Sequence, residues 1–151
     1  MSTKTRQKVA TLGGTPDDVE VAFYEALRTA DIDKLMTCWA DEDDIVCIHP
    51  AGPRVVGLAA IRTAFEGIFS SGGALRVEPQ AVRRVDSLAS AVHSVLERVE
   101  LMTPEGLIHA HVLATNVYHK TPQGWRLVLH HASPGRADDA HEQVAAPQVL
   151  H

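Results

Sequence analysis

The character of the chain changes near residue 75, and that change restricts the folds open to it. Before it, apolar residues recur at helical spacing. After it come four long strand candidates, at about 75–85, 89–102, 107–120 and 125–133. Only Asp86-Ser87, Thr103-Pro104-Glu105-Gly106 and Thr121-Pro122-Gln123-Gly124 separate them. Links this short join antiparallel neighbours, because a parallel pair needs a long crossover. Helices first and a meander afterwards specify an α+β class.

The first half supplies three helices. Thr15-Pro16-Asp17-Asp18 opens the first, with a capping hydroxyl, a proline in the first turn and carboxylates at the positive end of the dipole. Val19, Ala22, Phe23, Ala26, Leu27 and Ala30 form its apolar face. Asp31 caps a second, carrying Ile32, Leu35, Met36 and Trp39. After an acidic turn at 41–44, the β-branched run at 45–49 reads as a short buried strand, stopped by Pro50 and Ala51-Gly52-Pro53. Gly57 precedes a third helix with Leu58, Ile61, Phe65 and Ile68 on one face. A twisted meander longer than its helices bends around them and leaves a hollow at one end. Such concave, mostly apolar hollows favour ligands.

A length of 151 residues suits one domain with one core. The expected organisation is a flexible N-terminal arm at 1–14, a domain at 15–134 and a loosely held C-terminal tail at 135–151. A net charge of -5 without a basic run disfavours phosphate backbones, so no nucleic-acid partner is expected. Cys38 and Cys47 lack CxxC spacing and are too few for a disulfide framework, and Cys47 in its apolar run reads as a small core residue. The polar N-terminus lacks a signal-peptide core and no window is apolar enough to span a bilayer. A cytoplasmic location without membrane attachment is therefore expected.

Several segments together resemble the nuclear transport factor 2-like, or SnoaL-like, superfamily. They are Phe23-Tyr24-Glu25-Ala26-Leu27, Leu35-Met36-Thr37-Cys38-Trp39, Ile48-His49-Pro50-Ala51-Gly52 with Val56-Gly57 and Ala60-Ile61, and the final strand from Gly124-Trp125 to His130-His131-Ala132-Ser133-Pro134. The resemblance covers roughly residues 16–134. It implies a cone: a curved, mostly antiparallel sheet wrapped around three N-terminal helices, a cystatin-like roll. It also implies a homodimer joined through the outer sheet face, and functions ranging from isomerases, dehydratases and cyclases to binding and assembly domains. Glu97 and Asn116 stand where kinase-association-type members are similar but carry pocket arginines. Both departures remove a cation, which argues against anionic ligands.

Strand alternation sorts the side chains. His93, Val95, Glu97 and Val99 share one face of their strand, as do Val112, Ala114, Asn116 and Tyr118, and Trp125, Leu127, Leu129 and His131. The expected cavity thus gathers Glu97, Asn116 and His131 as catalytic candidates, with Trp39, His49, His93 and Tyr118 as ligand-binding candidates. Burial would raise Glu97 toward neutrality and fit it to take a proton, while a histidine and Asn116 stabilise a developing oxyanion. The same residues also fit a satisfied buried polar pair, a strand-ending histidine and core tryptophans. Tyr118, near a strand end, could be solvent-exposed.

No cofactor is expected: P-loop, GxGxxG and GxSxG patterns are missing. No metal is expected either, because His109 and His111 fall on the face opposite Asn116, where they suit a dimer interface with Leu113, Thr115 and Val117. The reading is a protein that binds a small hydrophobic or carbonyl-containing ligand, with cofactor-free acid–base catalysis of isomerase, dehydratase or cyclase type. The alternative is a non-catalytic ligand-binding or dimeric assembly domain.

Overall fold

The computed structural model describes residues 13–72 and 76–140. Helix α1 spans Pro16–Thr29, and Thr15 Oγ1 accepts the Asp18 N–H at 3.0 Å to cap it. It ends at Ala30, whose left-handed backbone turns its N–H onto the Ala26 and Leu27 carbonyls. Asp31 caps α2 (Ile32–Thr37) by accepting the Lys34 N–H. Helix α3 runs Leu58–Gly72.

The strands are β1 (Val46–Ile48), β2 (Arg54–Val56), β3 (Arg76–Asp86), β4 (Ser90–Thr103), β5 (Gly106–Thr121) and β6 (Gly124–Gly135). They form one sheet in the order β2-β1-β6-β5-β4-β3. All neighbours are antiparallel except β1 and β6. The α+β cone expected from the sequence is therefore present. Strand β2 has no counterpart among the elements read from sequence, because three residues are too few to show alternation. Phe23, Leu35, Ile61, Phe65, Val95 and Leu127 are buried between the helices and the sheet. Burying one such side chain contributes about 1.5–3 kcal/mol.

The β4–β5 and β5–β6 turns share one construction. Thr103 Oγ1 donates to the Gly106 carbonyl and Thr121 Oγ1 to the Gly124 carbonyl, each at 2.7 Å. Gly124 has φ 107°, and a Cβ there would lie 2.7 Å from the Gly13 carbonyl oxygen. That close approach lets Gly13 accept the Trp125 N–H at 2.9 Å.

Two irregularities shape the sheet. Strand β3 lies at an edge, which tolerates Pro79, and its register shifts between Gln80 and Arg83 around Ala81, whose φ is 45°. In β6, Val117 faces Leu129 while Tyr118 faces Leu127, so Val128 is an extra residue. Alternation therefore changes phase there: Leu127 is buried, and beyond the bulge His130 and Ala132 are buried instead of Leu129 and His131.

Residues 1–12 of the expected arm and 141–151 of the expected tail lie outside the described residues. Strand β6 continues to Gly135, and a short 3-10 turn follows at Ala137–Ala140. No helix among the described residues is long and apolar enough to cross a membrane.

Candidate functional site

Helix α1 lies against β4 so that two pairs meet, each 73 residues apart in sequence: Glu20 with His93, and Tyr24 with Glu97. The i, i+4 spacing on the helix puts Glu20 and Tyr24 on one face. Even spacing on the strand does the same for His93 and Glu97.

Around Glu97 the polar groups form a chain. Tyr24 Oη donates to Glu97 Oε2 at 2.6 Å. Since its hydroxyl proton is committed there, Tyr24 accepts the Asn116 Nδ2 donor at 3.0 Å. That orientation leaves Asn116 Oδ1 as the acceptor for His130 Nδ1, 2.5 Å away. His130 is therefore the Nδ1–H tautomer, and every donor in the chain points toward the carboxylate.

Glu97 and His130 line a cavity of about 240 Å³ with Leu27, Phe65, Val77 and Val112, and His49 stands at its rim beside Pro50. Burial pushes the Glu97 carboxyl up to about 7, although the Tyr24 hydrogen bond opposes the rise. Burial, and to a lesser extent the neighbouring His49 and His131, pushes His130 down to about 3, so it is neutral at physiological pH. Burial also lowers His49. Tyr24 is raised well above its ordinary value, first by burial and then by Glu97, and keeps its proton. Cys47 Sγ lies 3.6 Å from His49 Nε2, but burial raises the thiol to about 12, which leaves no nucleophilic thiolate. A carboxylate that exchanges protons near pH 7 in an apolar enclosure can take a proton from carbon and return it.

The expected site residues separate into four places. Glu97 and His49 line the cavity. Asn116 is fully buried one step behind, with its amide engaged by Tyr24 and His130. His93 and Tyr118 belong to another cluster: His93 Nδ1 is 2.6 Å from Glu20, and its ring lies 4.9 Å from the Tyr118 ring. Tyr118 is buried, contrary to the solvent-exposed alternative, because it continues the inward alternation of Ala114 and Asn116 along β5. Trp39 packs in the core, bridged to Leu127. His131 is exposed on the outer sheet face; the Val128 bulge turns it out and puts His130 in its place.

Tyr24 and His130 are the residues that strand alternation and the helix stripe did not deliver. Tyr24 had a signal: Glu20, Tyr24 and Leu27 recur at i, i+4, i+7, and a buried carboxylate requires a donor. His130 had none, since a bulge leaves no local mark.

Asp17, Glu20 and His93 are the group among the described residues whose possible metal-ligand atoms converge, within 4.8 Å of one another. His109 instead contacts Arg98 and Glu100 on the outer face. A larger groove of about 390 Å³ at the β3–β4 edge is lined by Arg28, Arg76, Arg98, Glu78 and Glu100. Its charges are already paired or exposed, whereas the smaller cavity is mostly apolar with a few converging polar groups, so the smaller cavity is the better candidate.

By sequence, residues 17–137 match the family described as SnoaL-like domain. The chain is 34% identical to a candidate calcium/calmodulin-dependent protein kinase type II association domain from Thiobacillus denitrificans, with a TM-score of 0.73 over 81% of this chain and 96% of that one. It is 26% identical to a candidate dehydratase of the NTF2-like family from Streptomyces avermitilis, with a TM-score of 0.71 over 87% and 99%. A ketosteroid isomerase-like protein from Erwinia carotovora atroseptica shares the fold, at 18% identity and a TM-score of 0.68 over 83% and 97%. No functionally curated protein matches the sequence.

Proposed function

We propose, from the premise that this chain belongs to the SnoaL-like domain family, that its cavity binds a small uncharged carbonyl compound and that Glu97 moves a proton on it. The observation that carries this reading is a buried carboxyl held near pH 7, lining an apolar cavity and aimed by a tyrosine. The cavity has the liquid volume of about eight waters, so the ligand is small. Among the described residues its lining includes no lysine or arginine, which leaves an anionic ligand without a counter-charge.

In this mechanism Glu97 takes a proton from the carbon next to the carbonyl. The neutral His49 ring donates to the carbonyl oxygen as charge develops there. Returning the proton from Glu97 to a different carbon gives isomerisation; giving it to a departing β-hydroxyl, as the enolate electrons form the Cα–Cβ double bond, releases water and gives dehydration. Asn116 and His130 are positioning residues: they fix Tyr24, which fixes Glu97. An amide in the chain makes it an orienting line and not a route for protons.

The test is deuterium uptake from heavy water at the α-carbon of a small cyclic enone such as 2-cyclohexenone, followed by NMR. Uptake lost in Glu97→Gln, with folding intact, supports the reading. Equal uptake in both proteins removes Glu97 from the chemistry.

A second reading is self-assembly, which the likeness to an association domain favours. The outer sheet face carries the exposed Leu113 and Thr115 beside half-buried His111 and Val117, and Leu107 lies further along it. A homodimer through this face would cover that strip and leave the cavity free.

A further inference from the structure

We propose that Asp17 and His93 bind a divalent transition-metal ion, with Glu20 holding His93 in place, at the end of the cone where α1 begins. His93 Nδ1 is engaged by Glu20 Oε2 at 2.6 Å, whereas Nε2 is buried without a hydrogen-bond partner. A buried imidazole nitrogen left unpaired costs about 1–3 kcal/mol. A carboxylate on one ring nitrogen and an open second nitrogen is the arrangement of a metal-binding histidine, because the carboxylate fixes the tautomer and makes the free nitrogen a better ligand.

The free nitrogen has an acid in front of it. Asp17 Oδ1 lies 3.7 Å from His93 Nε2. Two ligands bonded to one ion at about 2.1 Å are roughly 3.0–3.5 Å apart, so a small shift of the exposed Asp17 side chain closes the gap. The site opens into a recess of about 150 Å³ lined by Asp17, Arg84, Asp86, Ser87, His93 and Trp125, which has room for the waters that complete coordination.

Charge points the same way. Asp17, Glu20 and Asp86 all act on Arg84, whose Nε donates to Asp17 at 2.8 Å and whose Nη2 is 4.0 Å from Glu20. Three carboxylates outweigh one guanidinium and the positive end of α1 together. Arg84 occupies the oxygen that the ion would take, so the two cations compete for Asp17. Mixed imidazole and carboxylate ligands suit zinc, manganese or cobalt.

The experiment is titration of the full chain, stripped of metal, with Zn2+ by calorimetry and with Co2+ by its visible absorption and by quenching of Trp125. One equivalent is expected at this site. Asp17→Asn, an exposed change that leaves the core untouched, should weaken it at least about tenfold. His93→Gln should remove it, and Arg84→Gln should tighten it. Failure of the wild-type chain to bind, or binding of equal strength in Asp17→Asn and His93→Gln, overturns the proposal; the latter places the ion on other histidines.

Discussion

Tyr24 Oη lies 2.6 Å from Glu97 Oε2, tying the middle of α1 to the middle of β4. The bond favours the ionised carboxylate, whereas burial favours the neutral acid, and burial prevails. Removing the hydroxyl should therefore raise Glu97 further. In Tyr24→Phe, a carboxyl NMR titration should move upward from about 7, and Asn116 loses an acceptor. A stability loss of about 1–3 kcal/mol is expected in denaturant melts. A titration that stays in place would show that the hydroxyl does not control this carboxyl.

Glu97→Gln should separate chemistry from folding. Proton exchange on a carbonyl probe should fall at least about a hundredfold. The folded protein holds the Glu97 proton up to about 7, against an ordinary value of 4.5, so its contribution to stability is complete below 4.5 and disappears as pH rises through 7. The uncharged amide does not incur that loss. The variant should gain up to about 3 kcal/mol relative to wild type on going from pH 4 to pH 8, read from urea midpoints at each pH.

His130 works in the other direction. Its folded value near 3 lies below the ordinary 6.5, so its contribution is complete above 6.5 and is lost as pH falls toward 3. Between about 4.5 and 6.5 the folded pair holds one proton, on Glu97, and the unfolded pair also holds one, on the histidine. The two slopes cancel, and this pair adds no pH dependence there. With Glu97→Gln the His130 slope is exposed, and stability should climb with pH across that window. Melting curves at half-unit steps check it; a slope unchanged by the substitution would disprove the cancellation.

His130 and His131 should answer oppositely to truncation. His131→Ala, on the outer face, should change stability by less than about 0.5 kcal/mol and leave ligand affinity unaltered. His130→Ala opens a hole beside Phe23 and orphans Asn116 Oδ1, and should cost about 2–4 kcal/mol. Thermal melts and ligand titration by NMR distinguish the two.

If copies meet through the outer face, Leu113→Arg should convert a dimer to a monomer without loss of secondary structure, by light scattering and circular dichroism. A mass unaffected by the change would place any interface elsewhere.

The fold was legible because its signals are local. Thr15 and Asp31 announce helix starts, and two Thr-Pro-x-Gly turns with short links force a meander. The face shared by His93, Val95, Glu97 and Val99 follows from alternation alone and is present in β4. What escaped was set by tertiary structure. A three-residue β2 has no period to detect. The separation of His93 from Glu97 depends on where α1 crosses the sheet, with Glu20 claiming one and Tyr24 the other. Alternation also could not say that Asn116 would spend its amide on Tyr24 and His130.

The extra residue at Val128 makes β6 two half-strands with independent parity. The half before it keeps Leu127 in the core whatever follows. The half after it decides which side chains enter the cavity wall. Deleting Val128 would leave an unbroken ladder in which Tyr118 still faces Leu127 and Val117 still faces Leu129, so His130 and Ala132 would keep their inward places. Partnership with β5, and not the residue count along β6, thus chooses the wall of the chamber, and the strand can lose a residue at this point without changing what the chamber presents.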